Sequence, residues 1–266
     1  MTDRMPITSN PGILLSAAMF TGLMLFSGCS TAPDLETSRR FQQAEETFAT
    51  AKTSDQFLQA AAQYQEILDG GFASGSVFYN QGNAWMQANE VGRAIVAYRN
   101  AQRSLPRDPY LAANLRQALT KTGKPAEGQK SLIDYLFFWQ NSISYLEKTW
   151  IVTGLLLAVL LMALAAQGTR YSKELKRLNI VILVAFVLMA GSLARDWTNF
   201  ELSKHGAIIT DTTARKGGSE SYEPAFNQSL TDGTEFTVKS EQNGWLHIDV
   251  AGAGEGWIPE RNGVVY

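Results

Sequence analysis

A single cysteine, Cys29, and only two histidines, His205 and His247, stand in a chain of 266 residues. That excludes an internal disulfide framework and any cysteine-rich metal site. The histidines lie far apart, with no cysteine or acidic cluster beside either, so metal chemistry and histidine-dependent catalysis start without support. Charge of one sign is lacking too: 23 Lys+Arg stand against 25 Asp+Glu, a formal net charge of −2. No clustered positive potential is therefore available for nucleic acid. No nucleophile–base pair, metal-ligand spacing or phosphate-binding loop is legible, so we expect neither an enzyme nor a cofactor.

What is present is modular. An apolar run from Ile13 to Phe26 ends in Ser27-Gly28-Cys29. It is short for a membrane span and has the length of a signal-peptide core. Leu25-Phe26-Ser27-Gly28-Cys29 resembles a bacterial lipobox, which implies residues 1–28 as a signal peptide and Cys29 as the lipidation site. The other reading is an uncleaved signal anchor with an incidental cysteine.

Residues 37–123 are polar, rich in alanine and glutamine, and helical in periodicity. With Gly75 as position 1 of a 34-residue unit, Phe78, Gly82, Trp85, Ala94, Tyr98, Ala101 and Pro106 fall at positions 4, 8, 11, 20, 24, 27 and 32. That is a tetratricopeptide (TPR) pattern, with Gln81 in place of the usual leucine. Small Gly82 and Ala94 let two helices approach, large residues fill the space around them, and Pro106 ends the second helix. The preceding unit, from Phe41, matches in its second helix through Ala60, Tyr64 and Ile67. Tyr110 to Thr122 reads as a capping helix with Ala112, Leu115 and Leu119 inward. Tyr79, Asn83 and Met86 share one stripe at i, i+4, i+7, facing away from this core. They are the peptide-binding candidates; the alternative is a merely solvated face.

Aromatics then crowd residues 124–149, an expected interfacial linker. Residues 150–166 hold one polar side chain, Thr153, and residues 178–194 hold only Asn179 and Ser192. These read as two transmembrane helices. The loop 167–177 carries Arg170, Lys173, Lys176 and Arg177 against one glutamate, so it is expected to be cytoplasmic, with the flanking modules outside.

From residue 203 the pattern turns to short β-type runs separated by glycine and Asn-Gly turns. Strands are expected at 206–210, 235–240, 244–250, 256–259 and 263–266. Val238, Trp245, Ile248 and Val250 supply apolar groups, with a bulge needed to bring all four inward. Gly244-Trp245-Leu246-His247-Ile248 and Gly256-Trp257-Ile258-Pro259 give residues 203–266 a resemblance to bacterial SH3 domains. That resemblance implies a binding groove lined by Tyr222, Trp245 and Pro259; plain core packing is the other reading for Trp245.

The whole is thus expected to be a multi-domain membrane protein: an α-helical TPR solenoid, a two-helix transmembrane hairpin and a small all-β SH3-like barrel. This order resembles the repeat-plus-SH3 (BatE-type) proteins of Bacteroides aerotolerance (Bat) operons. The resemblance implies a scaffold or adaptor in the inner membrane, with both folded modules periplasmic. Its implied partners are MoxR-type ATPases and von Willebrand A-type membrane proteins. A peptidoglycan-binding module that recruits a cell-wall enzyme is the alternative.

Overall fold

The computed structural model describes residues 33–123, 137–167 and 170–266. Cys29, the leader, the first part of the 124–149 segment and positions 168–169 lie outside the described residues. Contacts below are those of residues 39–266, which form one compact unit.

Five helices come first: α1 (Leu35–Thr50), α2 (Ser54–Asp69), α3 (Gly75–Gln87), α4 (Val91–Ser104) and α5 (Pro109–Lys121). Their starts are set by polar caps. Thr53 and Gln56 form a reciprocal capping box at α2, and Ser74 accepts from the Val77 N–H at α3. Asp108 accepts from Tyr110 and Leu111 at α5, with Pro109 in the first turn, where it forfeits no hydrogen bond. Helices α3, α4 and α5 pack around Val91, Ala94, Ile95, Tyr98, Ala101, Leu111, Leu115, Ala118 and Leu119, with Phe78 and Trp85 against them, while α1 and α2 meet α3 around Ala44, Tyr64, Ile67 and Val77 and around Ala60, Ala61 and Ala84. Gln81 is buried and donates to Gln65 at 2.8 Å, which offsets the cost of an amide where the repeat pattern favours leucine. On α5 the inward residues are Leu111, Leu115, Ala118 and Leu119; Ala112, expected inward, is exposed. The true stripe begins one residue earlier because Asp108 and Pro109 set the helix start.

Two long helices follow, α6 (Tyr145–Ala165) and α7 (Ser172–Trp197), paired as a hairpin. Both are long and apolar enough to cross a membrane, and very little of either apolar stretch is buried within the chain. Tyr145 to Thr149, expected as linker, already belong to α6, and α7 outruns the apolar stretch at both ends. A π-type turn over Thr198–Leu202 leads to the sheet.

The sheet has five antiparallel strands in the order β4-β3-β2-β1-β5: β1 (His205–Ile208), β2 (Glu235–Gln242), β3 (Trp245–Val250), β4 (Gly254–Pro259) and β5 (Gly263–Val265). Asn243 and Gly244, both at positive φ, make the two-residue β2–β3 turn. The register shifts between Val238 and Ser240, the expected bulge. Strict alternation along β3 buries Leu246, Ile248 and Val250 and leaves Trp245 half-buried, outside the cluster of Ile208, Ala214, Leu230, Phe236 and Ile258. Trp245 is therefore not an inward residue; the bulge falls in the partner strand and leaves the β3 alternation intact.

Gly82 shows how tight the helical core is. A β-carbon there would lie 2.6 Å from the ring of Tyr98, itself 1% exposed. Gly82→Leu is expected to destabilise the chain by about 1–3 kcal/mol or more through overpacking, read as a lowered chemical-denaturation midpoint. An unchanged midpoint would show that α3 and α4 can separate there freely.

Candidate interaction site

Three sets of residues bear on binding: the inner face of the helices, the junction of helices and sheet, and the aromatic face of the sheet.

On the inner face, the structure ties the expected peptide-binding residues to their neighbours. Asn83 Oδ1 accepts from the Tyr98 hydroxyl at 2.9 Å and from Asn114 Nδ2 at 2.8 Å. The same Asn114 amide donates to the Tyr79 hydroxyl at 3.2 Å. Tyr79 and Met86 pack against the core cluster. All three are half-buried, so the stripe does not point clear of the core as the spacing suggested: α5 folds over it. Burial raises the pKa of the Tyr98 phenol, the nearby Tyr79 adds to this, and the group stays a neutral donor.

The junction was not legible as a site. Asp232, in the loop before β2, places both carboxylate oxygens on the first turn of α4, accepting from Val91 N at 3.1 Å and Gly92 N at 2.9 Å. The helix has no capping side chain of its own at Glu90, so a residue from the other domain supplies the cap. Burial raises the pKa of Asp232, and the two N–H donors oppose that rise. A β-carbon on Gly92 would lie 2.0 Å from the Ile208 carbonyl oxygen, so only glycine allows α4 to lie this close to β1. One turn and more along, Arg99 makes a two-pronged pair with Glu235, Nε–Oε1 at 2.9 Å and Nη2–Oε2 at 3.2 Å. Burial alone would lower the Arg99 pKa; the Glu235 carboxylate outweighs it and the net shift is upward. The sequence did carry one signal: over its first two turns, Val91 to Tyr98, α4 is apolar except at Arg93 and buries residues on nearly every side.

At the neck, the two hairpin helices are tied to each other and to the turn before α6, and α4 and its C-terminal end reach them through Arg103 and Arg107. Lys148, 0% exposed, donates to the Gln140 carbonyl at 2.7 Å and to Asp196 Oδ2 at 2.6 Å. The Gln140 side chain donates to Asp196 Oδ1 and accepts from the Ser192 hydroxyl, closing the network. Arg107 pairs with Glu147 at the start of α6, and the Arg103 guanidinium lies 4.6 Å over the Phe200 ring. This network was missed as well. Its signal was positional: Lys148 lies just before the first apolar stretch and Asp196 just after the second, which an antiparallel hairpin brings level.

On the sheet, Trp245 opposes Pro259 across β3 and β4, and His247 stacks on Trp257 with ring centroids 4.7 Å apart. Gly218 brings the long loop within van der Waals reach of both tryptophans, and Tyr222 packs over Gly217 while remaining 53% exposed. Tyr222, Trp245 and Pro259 thus share one half-exposed region, and His247 lies on the outer face as part of the aromatic stack. Among the described residues no three His, Cys, Asp or Glu side chains gather as metal ligands. No protein-family model, curated protein or solved structure matches the chain.

Two outcomes follow from the junction and the neck. Asp232→Ala is expected to cost about 0.5–2 kcal/mol, the value of a lost helix cap, and to raise hydrogen exchange at Val91 and Gly92 ahead of the sheet amides. Lys148→Met strands a buried carboxylate and is expected to cost about 3–5 kcal/mol, whereas Lys148→Met with Asp196→Leu should recover most of that loss. Equal melting temperatures for the single and double variants would show that the pair is not desolvated.

Proposed function

We propose that this protein is a non-enzymatic, membrane-anchored interaction scaffold of the bacterial cell envelope. The observation that carries the reading is the junction: helix pairs and sheet are joined by Asp232 and Arg99 into one head, and Arg107–Glu147 and Arg103 over Phe200 link that head to a hairpin whose own two helices are tied by Lys148–Asp196. A head built this way holds its surfaces at a set orientation above the bilayer, which is what an adaptor contributes. In this reading residues 37–123 are TPR units, residues 203–266 an SH3-like barrel, and Cys29 a lipidated N-terminus. The hairpin crosses the inner membrane with the basic loop 167–177 cytoplasmic and the head periplasmic, in keeping with the positive-inside rule. The partners proposed are von Willebrand A-type membrane proteins and a MoxR-type ATPase system, engaged in tolerance of oxidative or envelope stress.

A second reading is kept because of one observation. The half-exposed aromatic region at Tyr222, Trp245 and Pro259 offers ring faces outside the core, which suit a glycan strand as well as a peptide. Under that reading the sheet domain binds peptidoglycan and the helices recruit a cell-wall enzyme.

One experiment separates the two. The full chain, solubilised from membranes, is expected to co-purify with von Willebrand A-type proteins, and Tyr222→Ala with Trp245→Ala should reduce that yield while circular dichroism is unchanged. Sedimentation of the full chain with purified cell wall, lost in the same variant, would instead establish the glycan reading. Retention of neither partner would overturn both.

A further inference from the structure

The loop end of the hairpin carries a charged face that the scaffold reading does not use. Helix α7 begins at Ser172, but its apolar stretch begins only at Leu178, so its first turns form a stub beyond the apolar segment. On this stub Lys173, Lys176 and Arg177 lie three or four residues apart, hence on one side, and Arg170 stands just before it. All four are exposed. The one acidic neighbour, Glu174, reaches Arg177 at 3.1 Å, leaving the charge of Arg170, Lys173 and Lys176 uncompensated among the described residues. Leu175 is half-buried and Tyr171 is 68% exposed, so the stub is amphipathic with an aromatic at its edge.

Depth decides what this face meets. At a rise of about 1.5 Å per residue, Lys173 and Lys176 lie within about 8 Å of the apolar boundary. The polar layer of a bilayer is roughly 5–8 Å thick on each side of a hydrocarbon core of about 30 Å. The long lysine and arginine stems therefore deliver their charges into the headgroup layer. The cluster also continues the lipid-facing surface directly: Leu178, Ile180 and Val181 just beyond it are 49%, 61% and 65% exposed. The molecules next to these cations are thus lipids.

Resting on the membrane-spanning reading of α6 and α7, we propose that Arg170, Lys173 and Lys176 form a binding site for anionic phospholipid headgroups in the leaflet at the loop end of the hairpin. Their phosphates supply the opposite charge, and the site gives the hairpin a lipid preference that its apolar length alone does not.

The test uses the full chain reconstituted in nanodiscs of phosphatidylcholine with a minor share of phosphatidylglycerol. Spin-labelled versions of the two lipids report their relative association with the protein by electron paramagnetic resonance. A several-fold preference for phosphatidylglycerol is expected, weakening with salt. It should fall to near parity in the R170Q/K173Q/K176Q variant and persist in K239Q, which removes an exposed cation from the sheet domain. Equal preference in the wild type and the triple variant would overturn the proposal, as would parity for the wild type in discs that contain the protein, which would leave the cations to a protein partner. Failure of the chain to enter discs, with recovery in the soluble fraction, would overturn the membrane reading itself and the lipid site with it.

Discussion

The structure turns on a carboxylate in the loop before β2 that caps a helix far away in sequence. The first N–H groups of α4 need acceptors, Glu90 supplies none through its side chain, and Asp232 fills the vacancy from the loop before β2. Everything else at the junction follows from that placement. The contact draws Gly92 against the Ile208 carbonyl, brings Gly233 over Ile95 and Val91, and sets Arg99 level with Glu235. A capping interaction is worth only about 0.5–2 kcal/mol by itself. Here it is joined to apolar packing and a two-pronged ion pair, so the helices and the sheet share one core boundary.

The neck solves a different problem. A two-helix hairpin of apolar side chains has few polar groups to fix the register of its helices, and one network supplies them at the end nearest the head. Burying Lys148 against Asp196 costs desolvation that Coulomb attraction alone does not reliably recover. The Gln140 carbonyl accepts from Lys148 and its side-chain amide donates to Asp196, while the Ser192 hydroxyl donates to the oxygen of that amide and holds it in place. Such a network contributes less to stability than to uniqueness. A one-residue slip of α6 against α7 would leave two charges without partners, so the register of the hairpin is specified at its head end.

Much of this architecture was legible in the amino-acid sequence, and the limits of legibility have physical reasons. Gly82 was readable as a close helix contact, expected with Ala94, because a residue without a side chain at that spacing has few other uses; the side chain that lies over it is Tyr98. The Asn243-Gly244 turn was readable because left-handed backbone leaves few alternatives; a bulge was expected in order to turn Trp245 inward, but it falls in β2 and leaves Trp245 outside the core. Domain junctions leave a fainter trace. Asp232-Gly233 reads as an ordinary turn, and nothing local distinguishes a carboxylate that caps its own chain segment from one that caps a helix far away in sequence. Likewise Asn83 lies on a stripe whose spacing points outward, and only the packing of α4 and the fold-back of α5 make its amide oxygen an acceptor for Tyr98 and Asn114. Lys148 and Asp196 were passed over because single charges beside apolar stretches are common, and their pairing emerges only once the hairpin is closed.

Rigidity at both joints bears on what the head can bind. A surface on a freely jointed module loses orientational freedom on complex formation, and that loss is charged against affinity. On the proposed membrane reading, with α4 docked on β1 and Arg103 and Arg107 reaching the hairpin, Tyr222 and Trp245 would keep a set orientation relative to the bilayer. A membrane-bound partner approaching in the plane of the bilayer then meets a surface already aimed, and its encounter is limited to two dimensions. A soluble peptide gains nothing from that arrangement. On the proposed scaffold reading, the construction would therefore favour a partner that shares the membrane over one that diffuses freely, and would make the joints, as much as the aromatic surface, determinants of binding.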